Sequence, residues 1–224
     1  MKLAKFISHS GYCSRRHAEK LIVNKKVKIN EIICDQISTV IKSNDKVTIE
    51  NKLIKLQNKI KLWKLYKPIK TICTNRDPQK RKTIFDILPE NFSRVVSIGR
   101  LDYMSEGLIL LTNNGDYSRK MEHPKSKITR IYNVCIKEKI NNTIIAKINS
   151  GINYRGIKYE TNVKIKKVNK NNTWLSFNLK EGKNREIRNI CKLLKLTILK
   201  LIRVQYGKVK LNTMKPGEIK QIKV

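Results

Sequence analysis

Acidic residues are scarce in this chain: 17 Asp and Glu stand against 50 Lys and Arg, a formal net charge of +33. That imbalance demands a polyanionic partner or a very wet surface. Long apolar runs are missing too. No stretch approaches the ~20 residues needed to span a bilayer as a helix, and residues 1–11 show no apolar signal core or cleavage-like site. The five cysteines are far apart and form no Cys-x-x-Cys pair, and the three histidines are scattered. A reduced, cytoplasmic protein without structural zinc is expected. Aromatics reach only 6%, too few for a stacking platform that coats single strands. Phosphate-loop, dinucleotide and metal-ligand patterns are lacking, so no cofactor is expected. No internal repeat is visible.

Hydrophobic residues make up 40% of the chain, which supports a packed core rather than disorder. The basic excess calls for a polyanion, with nucleic acid first, because each lysine or arginine can neutralise a phosphate and release counterions. Lys, Asn and Ile are all heavily used, so compositional bias contributes as well. Arginine supplies only 12 of the 50 basic residues, and it concentrates at Arg15-Arg16, Arg100, Arg130 and Arg185 with Arg188. Guanidinium forks suit phosphates and base edges better than ammonium groups do.

The most informative stretch is Gly99-Arg100-Leu101-Asp102-Tyr103-Met104-Ser105-Glu106-Gly107, followed by Leu108 to Leu111. The apolar run reads as a buried strand, and Ser105-Glu106-Gly107 reads as a turn. Asp102 therefore sits on a connection that the core holds in place. Such a carboxylate can act as a nucleophile or as an acid/base; it can also cap a turn, with Arg100 as its ion-pair partner.

Residues 1–50 read as a separate small module. Leu3, Phe6 and Ile7 have helical spacing, and Gly11 breaks the run. Ser14 is a fair N-cap for a second helix with Ala18, Leu21 and Ile22 inward, leaving Arg15, Arg16 and Lys20 outward. Val27, Ile29, Ile33, Ile37, Val40, Val47 and Ile49 give short period-2 patterns. Residues 51–60 read as a linker or edge segment, and residues 61–224 as one larger domain. In that domain Leu62 to Tyr66 is a strand, Thr71 to Lys82 a mobile polar loop, and Phe85 to Leu88 a short helix. Val95 to Ile98, Tyr132 to Ile136 and Leu175 to Leu179 are strands. Ile187, Ile190, Cys191 and Leu194 mark an amphipathic helix. Many strands, few helices and no βαβ rhythm predict an α+β domain with a mixed, mainly antiparallel sheet.

The segment Gly11-Tyr12-Cys13-Ser14-Arg15-Arg16-His17-Ala18-Glu19-Lys20-Leu21-Ile22, with Lys5-Phe6-Ile7 before it and Val27-Lys28-Ile29-Asn30 after, resembles an S4 RNA-binding module. It departs from that pattern at Lys25 and Glu31, where glycine is usual. The resemblance implies that Ser14, Arg15, Arg16 and Lys20 lie on a face that grips structured RNA; a merely solvated basic face is the alternative.

Three further segments fall in a familiar order. They are Gly99 to Asp116, Arg130-Ile131-Tyr132-Asn133-Val134, and Leu179 to Arg188 running on into Leu201 to Gly207. Together with the S4-like start they resemble the RsuA family of ribosomal RNA pseudouridine synthases, in detail its large-subunit, type B branch. The resemblance implies cofactor-free isomerisation of uridine to pseudouridine in ribosomal RNA, 23S above all, by a monomer. It makes Asp102 the nucleophile, places Tyr132 against the flipped uracil and Ile187 beneath it, and gives Lys183 as the cation paired with the aspartate. A cation so placed favours the charged carboxylate. Taken singly, Tyr132 and Ile187 could be core residues and Lys183 one of 38 surface-type lysines. Arg100 either holds the RNA open once the base has left its stack or pairs with Glu106 or Asp116. Arg185 and Arg188 contact RNA or brace the helix. Rival readings are a non-catalytic ribosome-assembly factor on the same fold, and a synthase for small-subunit RNA or tRNA.

Overall fold

The computed structural model describes residues 1–57 and 59–224. Helix α1 (Leu3–His9) and helix α2 (Arg15–Val23) open the chain, and both expected helices are present. Ser14 caps α2 as its residue type predicts, its Oγ accepting from the His17 N–H at 3.2 Å. Strands β1 (Val27–Ile29), β2 (Ile32–Cys34), β3 (Val47–Ile49) and β4 (Lys52–Ile54) follow. They form an antiparallel sheet in the order β2-β1-β3-β4. The apolar faces of helices and sheet enclose Leu3, Ile7, Ala18, Ile22, Val27 and Val47. Of the segment read as a linker or edge, residues 52–54 are the edge strand of this sheet. Ile37 and Val40 lie outside its strands. Lys25 and Glu31 do take the left-handed conformation that glycine usually supplies, with φ of 57° and 67°. The turn geometry is kept at the expense of local strain.

The larger domain contains β5 (Leu62–Lys67), β6 (Val96–Ile98), β7 (Glu106–Thr112), α3 (Gly115–Glu122), β8 (Arg130–Ile136), α4 (Asn142–Asn149), β9 (Ile152–Tyr154) and β10 (Ile157–Tyr159). It continues through β11 (Asn162–Val168), β12 (Thr173–Leu179), α5 (Glu186–Leu193), β13 (Ile198–Tyr206), β14 (Val209–Lys210) and β15 (Ile219–Ile222). A nine-stranded sheet runs β11-β12-β8-β13-β7-β5-β15, with β14 on β13 and β6 on β7. The fold is α+β, as expected. Its pairings are antiparallel except where β13 lies parallel to β7, at Ile202↔Glu106 and Arg203↔Gly107.

That parallel seam lies among three apolar clusters. On one side α5 seats Ile187, Ile190 and Cys191 against Val134, Leu175 and Phe177. On the other, Leu108 and Leu110 pack with Tyr206, while Ile109 and Leu111 pack with Trp63 and Leu65. Strand β7 is apolar on both faces because both are covered. It begins at Glu106, so Glu106 and Gly107 belong to the strand rather than to the turn expected there. Thr71 to Lys82 is a loop whose base is closed by the bridge Ile72↔Thr83, and within it Arg81 grips Asp77 with two 2.9 Å hydrogen bonds.

Candidate active site

One row of residues crosses the sheet at the seam. Lys67 on β5 lies opposite Gly107 on β7, Gly107 opposite Arg203 on β13, and Arg203 opposite Tyr132 on β8. Direct cross-strand neighbours share a face, so two cations and a tyrosine line up there. Lys67 and Arg203 are both buried. Gly107 has φ of +104°, and a Cβ on it would run into the backbone of Arg203. Glycine is what permits the strands to approach this closely.

The buried cations are spent on backbone carbonyls around the Asp102 turn. Lys67 Nζ donates to the carbonyls of Ser105 (2.7 Å) and Pro68 (2.9 Å). Arg203 Nε donates to Leu108 O at 2.6 Å and Nη1 to Arg100 O at 3.4 Å. Burial brings the Lys67 ammonium down to about pKa 8, although Cys73, Asp102 and Glu106 nearby favour its charge. Arg188, from α5, completes the clamp. Its Nε donates to Asp102 Oδ2 at 3.1 Å, and its Nη2 reaches Met104 O and Ser105 Oγ at 3.0 Å each. Residues 100–108 are thus held by three cations from three separate strands and helices.

This turn floors a cleft of about 1030 Å³ that Asp102, Tyr132, Ile187 and Arg188 line together, with Arg100, Lys183 and Arg185 at its sides. Every residue of the larger domain singled out from the sequence therefore reaches one cleft. Ser14, Arg15, Arg16 and Lys20 lie apart from it, all exposed on or beside the first turns of α2.

One expectation needs correction, and two open assignments are narrowed. Lys183 does not pair with Asp102: its Nζ sits 2.8 Å from Glu181 and donates to Lys158 O at 2.7 Å. The aspartate's cation is Arg188, which had been assigned only RNA contact or bracing. The ladder of β13 against β7 brings α5 over the turn, and the fork of an arginine can span a carboxylate, a carbonyl and a hydroxyl at once. Arg100 pairs with neither Glu106 nor Asp116. Glu106 accepts from the Tyr66 hydroxyl at 3.1 Å, and Asp116 pairs with Lys5 at 2.7 Å. Among the described residues Arg100 makes no ion pair, and it faces the cleft uncommitted.

Three residues were missed. Lys67 alternates with Trp63 and Leu65, and Arg203 with Leu201, which are inward positions of their strands. That period-2 pattern was the available signal. Glu186 was missed as well: it is 4% exposed and lines the cleft. Burial pushes its carboxyl up to about pKa 7, against the pull of the Lys183 N–H and ammonium and of Arg130.

The site joins a carboxylate on the turn leading into the parallel seam to a cleft rich in arginine, an arrangement that suits a polyanion. The family model for RNA pseudouridylate synthases matches residues 61–193, and that for S4 domains matches residues 1–47. The chain belongs to the RNA pseudouridylate synthase family and carries an S4 domain, as its motifs lead one to expect. It is 46% identical, over 99% of its length and 91% of the relative's, to an uncharacterised RNA pseudouridine synthase of Rickettsia typhi. It is 38% identical to ribosomal large subunit pseudouridine synthase B of Buchnera aphidicola subsp. Schizaphis graminum, covering 97% of this chain and 88% of that one. A crystal structure of a pseudouridylate synthase superposes with a TM-score of 0.68 at 27% identity, covering 100% of this chain and 96% of that one.

Proposed function

We propose that this protein isomerises specific uridines of large-subunit ribosomal RNA to pseudouridine, as a cytoplasmic monomer, with Asp102 as the nucleophile. The observation that carries the proposal is the placing of Asp102, ion-paired to Arg188, in one cleft with Tyr132 and Ile187. The large-subunit assignment rests on the name of the Buchnera relative. The five free thiols suit a reduced compartment.

In the reaction the N1–C1′ bond breaks, the uracil turns, and C5 bonds to C1′. The C5 proton leaves and N1 takes one up, so atoms and electrons balance without an oxidant or reductant. A carboxylate suits the first step because it can add to the sugar carbon or remove a sugar proton. Arg188 holds the carboxylate in place with one arm of its hydrogen-bonding fork. Tyr132 stacks on the extruded base, and Ile187 supports it from below. Arg100 takes the space or the phosphate left by the flipped nucleotide, whose extrusion costs a few kcal/mol. Arg185 binds backbone, and Ser14, Arg15, Arg16 and Lys20 grip a structured region elsewhere on the RNA.

The test is pseudouridine mapping of unmodified large- and small-subunit ribosomal RNA and of a partly assembled subunit, each incubated with wild-type protein and with Asp102→Asn. A new pseudouridine in the large-subunit RNA with wild type alone is expected. Equal modification by the variant would overturn the role of Asp102. No modification in any of the three would favour a binding factor that has lost its chemistry.

A further inference from the structure

Beside the cleft lies a second recess of about 320 Å³, and Arg185 and Arg188 line both. Its far wall is the hairpin of β9 and β10, which presents Tyr154 and Arg155; its near wall is α5, which presents Asn189 and Lys192. No carboxylate lines it. Among the described residues Arg155, Arg185 and Lys192 make no ion pair, and all three are exposed. The Arg155 guanidinium lies 5.4 Å from the centre of the Tyr154 ring. The floor is firm: Tyr159 is buried, and its hydroxyl accepts from the Asn189 amide at 2.8 Å. Arg185, at the junction of the two recesses, holds a left-handed φ of 51°.

We propose that this recess binds a nucleotide flanking the target uridine. Its base stacks on Tyr154, and its phosphate lies between Arg185 and Lys192. The inference rests on the reading of the main cleft as an RNA site, and it adds where the neighbouring nucleotide goes. The chemistry fits a single-stranded nucleotide: an aromatic face for a base, unpaired cations for a phosphate, and nucleotide dimensions too small for a duplex. Because Arg185 and Arg188 line both recesses, one strand can occupy both.

The test needs no turnover. A uridine pentanucleotide carrying 4-thiouridine at each position in turn is irradiated with the full-length protein, and crosslinks are mapped by mass spectrometry. One position is expected to crosslink within the 154–159 hairpin, and Tyr154→Ala should abolish that crosslink while those in the main cleft persist. Lys192→Ala should weaken pentanucleotide binding about 3-fold and lower its salt slope by about one contact. Crosslinks confined to the main cleft and the α2 face, or an unchanged pattern in Tyr154→Ala, would overturn the subsite. Hairpin crosslinks from a protein that makes no pseudouridine would leave the subsite standing and remove the catalytic reading instead.

Discussion

Arg188 meets Asp102 at 3.1 Å across 86 positions of sequence, and the same guanidinium holds Met104 O and Ser105 Oγ. The pair is therefore a link between helix α5 and the turn before β7. Arg188→Lys keeps the charge but loses the fork. A hydrogen bond to a charged group is worth about 1.5–3 kcal/mol, so kcat on substrate RNA should fall roughly 10- to 100-fold with KM little altered. Single-turnover kinetics at saturating enzyme would check this; a variant with wild-type kcat would show that the carboxylate does not need the fork.

Gly107 stands where two buried cations converge. Gly107→Ala would place a methyl group against the backbone of Arg203 in a left-handed conformation. A loss of at least about 2 kcal/mol is expected, read as a lowered midpoint in urea. An unchanged midpoint would mean that β7 and β13 can part without penalty.

Glu186 gives the protein a pH signature. Its folded-state pKa, near 7, lies above its ordinary value of 4.5. The native state therefore binds more protons between those values, and stability from this group is present below about pH 4.5 and lost as pH rises through 7. Glu186→Gln should remove that slope and be more stable than wild type at pH 8, by about 1–3 kcal/mol, with no advantage at pH 4.5. Parallel denaturation curves at the two pH values for wild type and variant would contradict the burial account.

On the α2 face, Arg15→Ala with Arg16→Ala should reduce the slope of log affinity against log salt by about two phosphate contacts while leaving kcat unchanged. Filter binding of ribosomal RNA across a salt series reads the slope directly. The same slope in both proteins would take this face out of the RNA contact.

Local features were legible before the structure and long-range ones were not. The Ser14 cap, the strand from Leu108 to Leu111 and the helix around Ile190 each follow from neighbours in sequence. The parallel pairing of β13 with β7 does not: it joins residues about a hundred positions apart, and nothing in either strand encodes the partner. The Arg188 contact depends on that pairing, which is why Lys183 stood in its place. Lys67 and Arg203 were hidden for another reason. In a chain with 38 lysines a basic residue reads as surface, and only alternation with Trp63, Leu65 and Leu201 marks these two as inward.

Among the described residues, Lys5 and His9 of the N-terminal module meet Asp116 of the larger domain. Lys5 meets Asp116 with both side chains well exposed, and Asn113 donates to Gln57 Oε1 at 2.7 Å. An exposed ion pair contributes about 0–1 kcal/mol, so the covalent connection holds the two parts together more than that pair does. On the proposed reading the chain is then a bivalent ligand on a short leash. Once the module has docked, the cleft samples the RNA at an effective concentration near the millimolar range. Two grips that are each weak alone then hold a substrate for the time one turnover needs. Cutting the chain between them would cost avidity while leaving both RNA-facing surfaces as they are.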